Sequence, residues 1–272
     1  MKTLSESLKS DFIVNLSHEL RTPINLILNA SKTIKSKINN NSILKNNLEE
    51  IKADIENKLE LIYSNSYRLL KISNNIIDVT KAESGLLKLD IKDENIVNVV
   101  EDAFASIVEF AKNKNIIMVF DSIEEEIITV IDKVQIQRVV LNLISNAIKF
   151  TLSRGLINVN ISKVEDEVLI EVKDNGIEIP KANLDKIFQS FYQVDYSLTR
   201  INEGAGVGIC IVKDIVEIHG GRVDIESIEG IGATFKVYIP IKMINENENE
   251  KRVININYDI KTMTNIELSD LI

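Results

Sequence analysis

The first 84 residues contain no glycine and one proline, Pro23, and their apolar residues recur at three- and four-residue steps. That pattern selects α-helix, because the apolar positions repeat at the helical period with nothing to break them. Ile13, Leu16, Leu20, Ile24, Ile27 and Ile34 make one stripe. Leu48, Ile55, Ile62, Leu69 and Ile76 lie seven apart in a second, with Ile51, Leu59, Ile72 and Val79 filling in. The polar run Asn39-Asn40-Asn41-Ser42 between them reads as a helix–helix connection. Stripes about two residues per heptad wide cannot be buried by one hairpin alone. Two hairpins together bury both, so a homodimeric four-helix bundle is expected. An ordinary coiled-coil dimeriser satisfies the same periodicity.

Past Ala82-Glu83-Ser84-Gly85 the pattern changes to strands mixed with helices. Short strands are predicted over Leu86–Ile91, Ile116–Phe120 and Ile127–Val130, and helices over Asn95–Ala111 and Asp132–Phe150. The second helix begins with an Asp able to cap it. Leu156–Ile161 and Val168–Lys173 form a hairpin across Val164-Glu165-Asp166. Residues 174–205 are rich in turn formers and too long for an inert connection. Val207–Ile218 reads as helix, ended by Gly220-Gly221, and Arg222–Glu226 and Ala233–Ile239 close the sheet. The expected fold is an α+β sandwich with helices on one face of a mixed sheet. The domains are then 1–84, 85–242 and a polar linker and tail, 243–272, whose role is unassigned.

The chain of 272 residues carries a net charge of −9 and no Lys/Arg block, which argues against direct nucleic-acid binding. A single cysteine, Cys210, excludes a disulfide framework and a thiolate-rich metal site. No apolar run is long enough for a membrane span, and no signal-peptide core is present. The expected location is the cytoplasm, as a stand-alone protein or as the soluble portion of a membrane-associated sensor.

Four segments hold residues with chemical potential. In Phe12-Ile13-Val14-Asn15-Leu16-Ser17-His18-Glu19-Leu20-Arg21-Thr22-Pro23, His18 falls opposite the apolar seam and faces solvent. Most helical histidines are merely surface residues, but Glu19 follows directly and can orient the ring and accept a proton. Thr22 lies one turn on, and Pro23 removes a hydrogen bond just after it. Asn142, Asn146 and Lys149 form one polar row on a helix, suited to Mg²⁺ shared with phosphates or, equally, to simple solvation. Asp174-Asn175-Gly176 ends a strand with a carboxylate and a glycine, either an ordinary turn or an acceptor beside a planar ring. Gly204-Ala205-Gly206-Val207-Gly208 opens a helix, where free N–H groups suit phosphate. Neither His219, at a helix end, nor Cys210 has an evident reactive role.

The order of these segments resembles the H, N, G1 and G2 boxes of sensor histidine kinases over roughly residues 10–240. Ile187-Phe188-Gln189-Ser190-Phe191 resembles their F box, and Gly230-Ile231-Gly232-Ala233-Thr234-Phe235 the glycine-rich turn before their last strand. The resemblance implies a phosphotransfer hairpin followed by a GHKL-type ATP-binding domain, with ATP and Mg²⁺ as cofactors. It implies that His18 takes the γ-phosphate, Glu19 serves as base and Thr22 positions water for phosphatase action. It places Asn146 on Mg²⁺, Asn142 and Lys149 by the phosphates, Phe150 against the purine and Asp174 on the adenine amine. Gly176, Gly204, Gly206, Gly208 and Thr234 complete the nucleotide site. The implied partner is a response-regulator receiver domain, which takes the phosphoryl group on an Asp. The sequence departs from the pattern at Glu178, where a second G1 glycine is usual. If that position needs positive φ, Glu178 is expected to weaken nucleotide binding, and the rival function is a degenerate kinase acting as a dimeric scaffold or phosphatase only.

Overall fold

The computed structural model describes residues 4–39, 48–190, 192, 206–243 and 258–271. The residues at both ends of the glycine-free stretch form two long helices, α1 (Leu4–Asn39) and α2 (Leu48–Glu83). The Asn39–Ser42 connection lies, apart from Asn39, outside the described residues. α1 and α2 pack as a hairpin, with Lys37 Nζ 2.6 Å from Asp54 Oδ2. Pro23 is accommodated inside α1, with its ring buried. Gly85, at φ +64°, ends α2. Leu86 N–H donates to Lys81 O at 2.8 Å and Gly85 N–H to Ala82 O at 3.0 Å. This paired closure requires a left-handed residue at the position that glycine fills.

The seam differs in detail from the sequence expectation. Ile55, Ile62, Leu69 and Ile76, the seven-residue row, are half-buried within the single chain. Among the described residues, the open large apolar positions on α2 are Leu59, Tyr63, Leu70 and Ile77, and those on α1 are Val14, Ile24, Leu26, Leu28 and Ile38. Periodicity places apolar residues on a face but does not say which edge of that face the hairpin itself covers.

Leu86–Ile91 is not a strand. The first strand is β1 (Lys92–Asn95), paired antiparallel with β3 (Ile128–Ile131). Strand identity here follows from having a partner, which the apolar run at 86–91 lacks. Between them lie α3 (Ile96–Asn113) and β2 (Ile117–Ser122). Asn95 Oδ1 caps α3 through Val97 N–H at 3.1 Å and also accepts from Ile127 N–H at 3.2 Å. α4 (Lys133–Phe150) is capped by Asp132, as the sequence suggests, through Gln135 N–H at 3.1 Å.

The hairpin β4 (Leu156–Val164) and β5 (Glu167–Asp174) turns tightly at Glu165-Asp166, with Glu165 at φ +55°. α5 (Gly208–Ile218), β6 (Arg222–Ile228) and β7 (Gly232–Pro240) follow. The five-stranded sheet has the order β2-β4-β5-β7-β6; β2 runs parallel to β4 and every other pair is antiparallel. Alternate residues of the central strands, such as Ile157, Val159, Ile161, Val168, Ile170 and Val172, are fully buried. They face α3, α4 and α5, giving helices on one face of a mixed sheet.

The tail forms one more element, α6 (Ile260–Leu268), capped by Asp259 Oδ1 on Thr262 N–H at 2.6 Å. It packs against α2, α3 and α4. No helix among the described residues is long and apolar enough to cross a membrane.

Candidate functional site

His18 lies mid-way along α1 with an exposed side chain, as its position opposite the seam requires. Glu19 is half-buried beside it. Thr22 Oγ1 donates to His18 O at 3.3 Å, which fixes the hydroxyl one turn beyond the imidazole on the same exposed face. The antiparallel register set by Lys37 and Asp54 brings His18 level with the Lys71–Asn75 turn of α2.

In the second domain, residues far apart in sequence meet along α4 and at its C-terminal end. Gly176 packs so tightly that an added Cβ would lie 2.3 Å from Phe150 O, and Ile177 N–H donates to the same carbonyl at 3.0 Å. Gly208, opening α5, would place a Cβ 2.9 Å from Asn142 Oδ1. Gly232, opening β7 at φ +121°, would place one 2.1 Å from Asp174 O. The glycines therefore permit three close approaches, which seat Gly176 on Phe150, Gly208 on Asn142 and Gly232 on Asp174.

Asn142 is buried and donates from Nδ2 to Arg138 O at 3.2 Å. Asn146 and Lys149 are half-buried on the same helix, and Lys149 Nζ lies 5.5 Å from the centre of the Phe150 ring. Asp174 is buried, and its Oδ1 accepts from Gly176 N–H at 2.9 Å. Asp174-Asn175-Gly176 thus forms the turn that the sequence offered, with the Asp174 carboxylate buried in it. Burial drives the Asp174 pKa above the usual carboxylate range, against the lowering effect of the Gly176 and Ala233 amides.

Thr234 pairs with Lys173 in β5 and Glu226 in β6, one residue from the Asp174 end of β5. Gly206 sits at φ +65° before α5, whereas Gly204 lies outside the described residues. Phe188 of the F-box segment is half-buried, with Lys213 Nζ of α5 5.9 Å from its ring centre; Phe191 lies outside the described residues.

Glu178 departs from the expected strain. Among the described residues, positive φ outside glycine occurs at Asn115, Arg154 and Glu165, and not at Glu178. The turn is completed upstream by Gly176, and Ile179 N–H is held by Ser227 Oγ at 2.8 Å. A side chain at Glu178 therefore costs no left-handed backbone.

Two features were not singled out in the sequence. Thr151 Oγ1, next to Phe150, is buried with no hydrogen-bond partner among the described residues. His219, read as a helix-end residue, joins two elements. Its Nε2 accepts from Asp132 N–H at 3.1 Å and its Nδ1 lies 2.7 Å from Ile215 O, so the proton is on Nδ1. Cys210 is buried with its thiol against Val207 O at 3.0 Å, and burial pushes its pKa to about 11, as befits an inert cysteine.

A buried carboxylate acceptor, an orphaned hydroxyl and amide-bearing glycines at a helix start fit an adenine nucleotide. Among the described residues no cluster of three or more His, Cys, Asp or Glu could hold a metal, so a cation would need Asn146 together with phosphate oxygens.

Residues 8–85 match the His Kinase A (phospho-acceptor) domain, and residues 131–243 match the histidine kinase-, DNA gyrase B- and HSP90-like ATPase family. The chain belongs to the sensor histidine kinases. The hybrid signal transduction histidine kinase D of Dictyostelium discoideum is 35% identical over 246 residues, 89% of this chain but 15% of that protein's length. The catalytic domain of the histidine kinase ThkA superposes with a TM-score of 0.51 at 26% identity, covering 56% of this chain and 99% of that one. ThkA in complex with the response regulator protein TrrA shares the fold, with a TM-score of 0.56 at 23% identity over 87% of this chain and 63% of that one.

Proposed function

We propose that this histidine kinase chain binds Mg-ATP in the second domain, phosphorylates His18 and passes the phosphoryl group to an aspartate of a response regulator. The seating of Gly208 on Asn142 and of the Asp174–Gly176 turn on Phe150, along one helix, carries this reading. Asp174 would accept from the exocyclic amine of adenine, Phe150 would lie against the purine, and Thr234 would line the same pocket. Asn142, Lys149 and the amides at Gly204, Gly206 and Gly208 would face phosphate, and Asn146 would hold Mg²⁺. The cation, when bound, neutralises phosphate charge.

At the other end, one imidazole nitrogen of His18 forms a bond to the γ-phosphorus as the bond to the ADP oxygen breaks, while Glu19 takes the ring proton. Thr22, whose hydroxyl can still accept a hydrogen bond, would position water for phosphatase action on the regulator. The response regulator as partner is supported by the ThkA–TrrA complex, which shares this fold. The open apolar residues Ile24, Leu28 and Ile38 on α1 and Leu59, Tyr63 and Leu70 on α2 support a homodimer through the hairpin. With its left-handed strain removed, Glu178 no longer favours a degenerate kinase.

Incubation with ATP labelled on the γ-phosphate tests the proposal. Label that is lost in acid and retained in base is the expected result; absence of label, or acid-stable label, overturns it.

A further inference from the structure

α6 lies outside both matched domains, yet its polar residues are among the most buried of the chain. Glu267 is 3% exposed and Lys71 of α2 is 9% exposed. Lys71 Nζ donates to Glu267 O at 2.7 Å and to Asp270 Oδ2 at 2.8 Å, and lies 3.5 Å from Glu267 Oε2. Arg138 of α4 pairs with Asp78 of α2, donates to Asn75 Oδ1 at 3.0 Å and lies 3.6 Å from Glu267 Oε1. Glu267 therefore sits between a cation of the hairpin and a cation of the ATPase-type domain. Thr264 Oγ1 adds a hydrogen bond of 2.7 Å with Ser106 Oγ of α3. Burial by itself lowers the pKa of the Lys71 ammonium, but Asp270 and Glu267 more than offset it, and it ends above the ordinary lysine value.

The second domain meets the hairpin at α2, through α5 and Arg138 of α4, and α6 packs on α2 and α4 as well, whereas α1 packs on α2 and leaves His18 exposed. Phosphoryl transfer needs the reacting atoms within about 3–3.5 Å in line. We propose that α6 is an intramolecular latch that pins the ATPase-type domain on α2, at the level of His18 but away from it, and so restrains autophosphorylation. Charged groups buried this way hold a unique docked arrangement, because separating one from its partners leaves an uncompensated charge. When α6 leaves, Lys71 loses both Glu267 and Asp270, and Arg138 loses Glu267 while keeping Asp78.

This inference rests on the autokinase reading, and its test separates the two. The whole chain is compared with a Glu267→Gln/Asp270→Asn variant and with Lys71→Met. Amide hydrogen exchange over residues 260–268 is followed alongside the autophosphorylation rate at saturating ATP and the affinity for a non-hydrolysable ATP analogue. In both variants the α6 amides are expected to exchange faster while β5 and β7 stay protected. The labelling rate should rise about tenfold, and analogue affinity should stay within about twofold. Unchanged α6 exchange overturns the latch, and faster exchange without a faster labelling rate overturns its inhibitory role. Absence of label from all three proteins refutes the autokinase reading and with it the inhibitory role, while the exchange data still decide whether the latch exists.

Discussion

Asp174 and His18 need opposite surroundings. A carboxylate that is to read an amine, the role proposed for Asp174, must be dry and rigid; Asp174 is buried and held by the Gly176 amide. Because its pKa is raised in the folded protein, Asp174 contributes most to stability below its unfolded pKa and loses that contribution as pH rises through the folded value. Asp174→Asn removes the buried charge and keeps an oxygen for Gly176. It should therefore leave the melting temperature at neutral pH equal or higher while abolishing adenine-nucleotide binding; calorimetric titration that still shows binding would move the pocket elsewhere. An attacking imidazole must instead be open, and His219 is too buried and doubly bonded to substitute for it. His18→Gln should thus abolish labelling entirely and leave nucleotide binding intact. His219 carries a different signal. Burial lowers its pKa, so its contribution is complete above the unfolded value of about 6.5 and is lost as pH falls toward the folded value. His219→Gln should cost about 1–3 kcal/mol at neutral pH by weakening the bond to Asp132 N–H. It should also flatten the decline of melting temperature between about pH 7.5 and 5.5 relative to the parent protein.

At the scale of elements, close approach separates two glycines of similar appearance in the sequence. Gly176 lies against the backbone of α4, so Gly176→Ala forces the loop away from Phe150. An expected cost of about 1–3 kcal/mol should come with loss of nucleotide binding. Gly230, at φ +71° with open space around it, should cost only about 1–2 kcal/mol as alanine and leave binding unchanged. Chemical denaturation paired with titration of the ATP analogue distinguishes the two. The capping residue Asp132 was readable in advance because a cap acts over three residues of chain. That residues 86–91 form no strand was not, because pairing depends on what lies across the sheet.

Across the whole molecule, the open apolar positions of the hairpin suit the proposed homodimer. Leu28→Glu together with Tyr63→Glu should convert a dimer to a monomer in sedimentation at micromolar concentration, while the second domain keeps its nucleotide affinity. A dimer persisting in that variant would place the interface elsewhere. The helical hairpin and the positions of the His18, Asn142–Lys149, Asp174–Gly176 and Gly206–Gly208 segments followed from the amino-acid order, because helical period, capping and turn chemistry act over a few residues. Three features were settled only by the folded chain: the open row Leu59, Tyr63 and Leu70, the unstrained backbone of Glu178, and the Lys71–Glu267–Arg138 network. Each depends on contacts between residues remote in sequence, and Lys71 and Glu267 become partners only because α2 and α6 are brought together by the packing of everything between them.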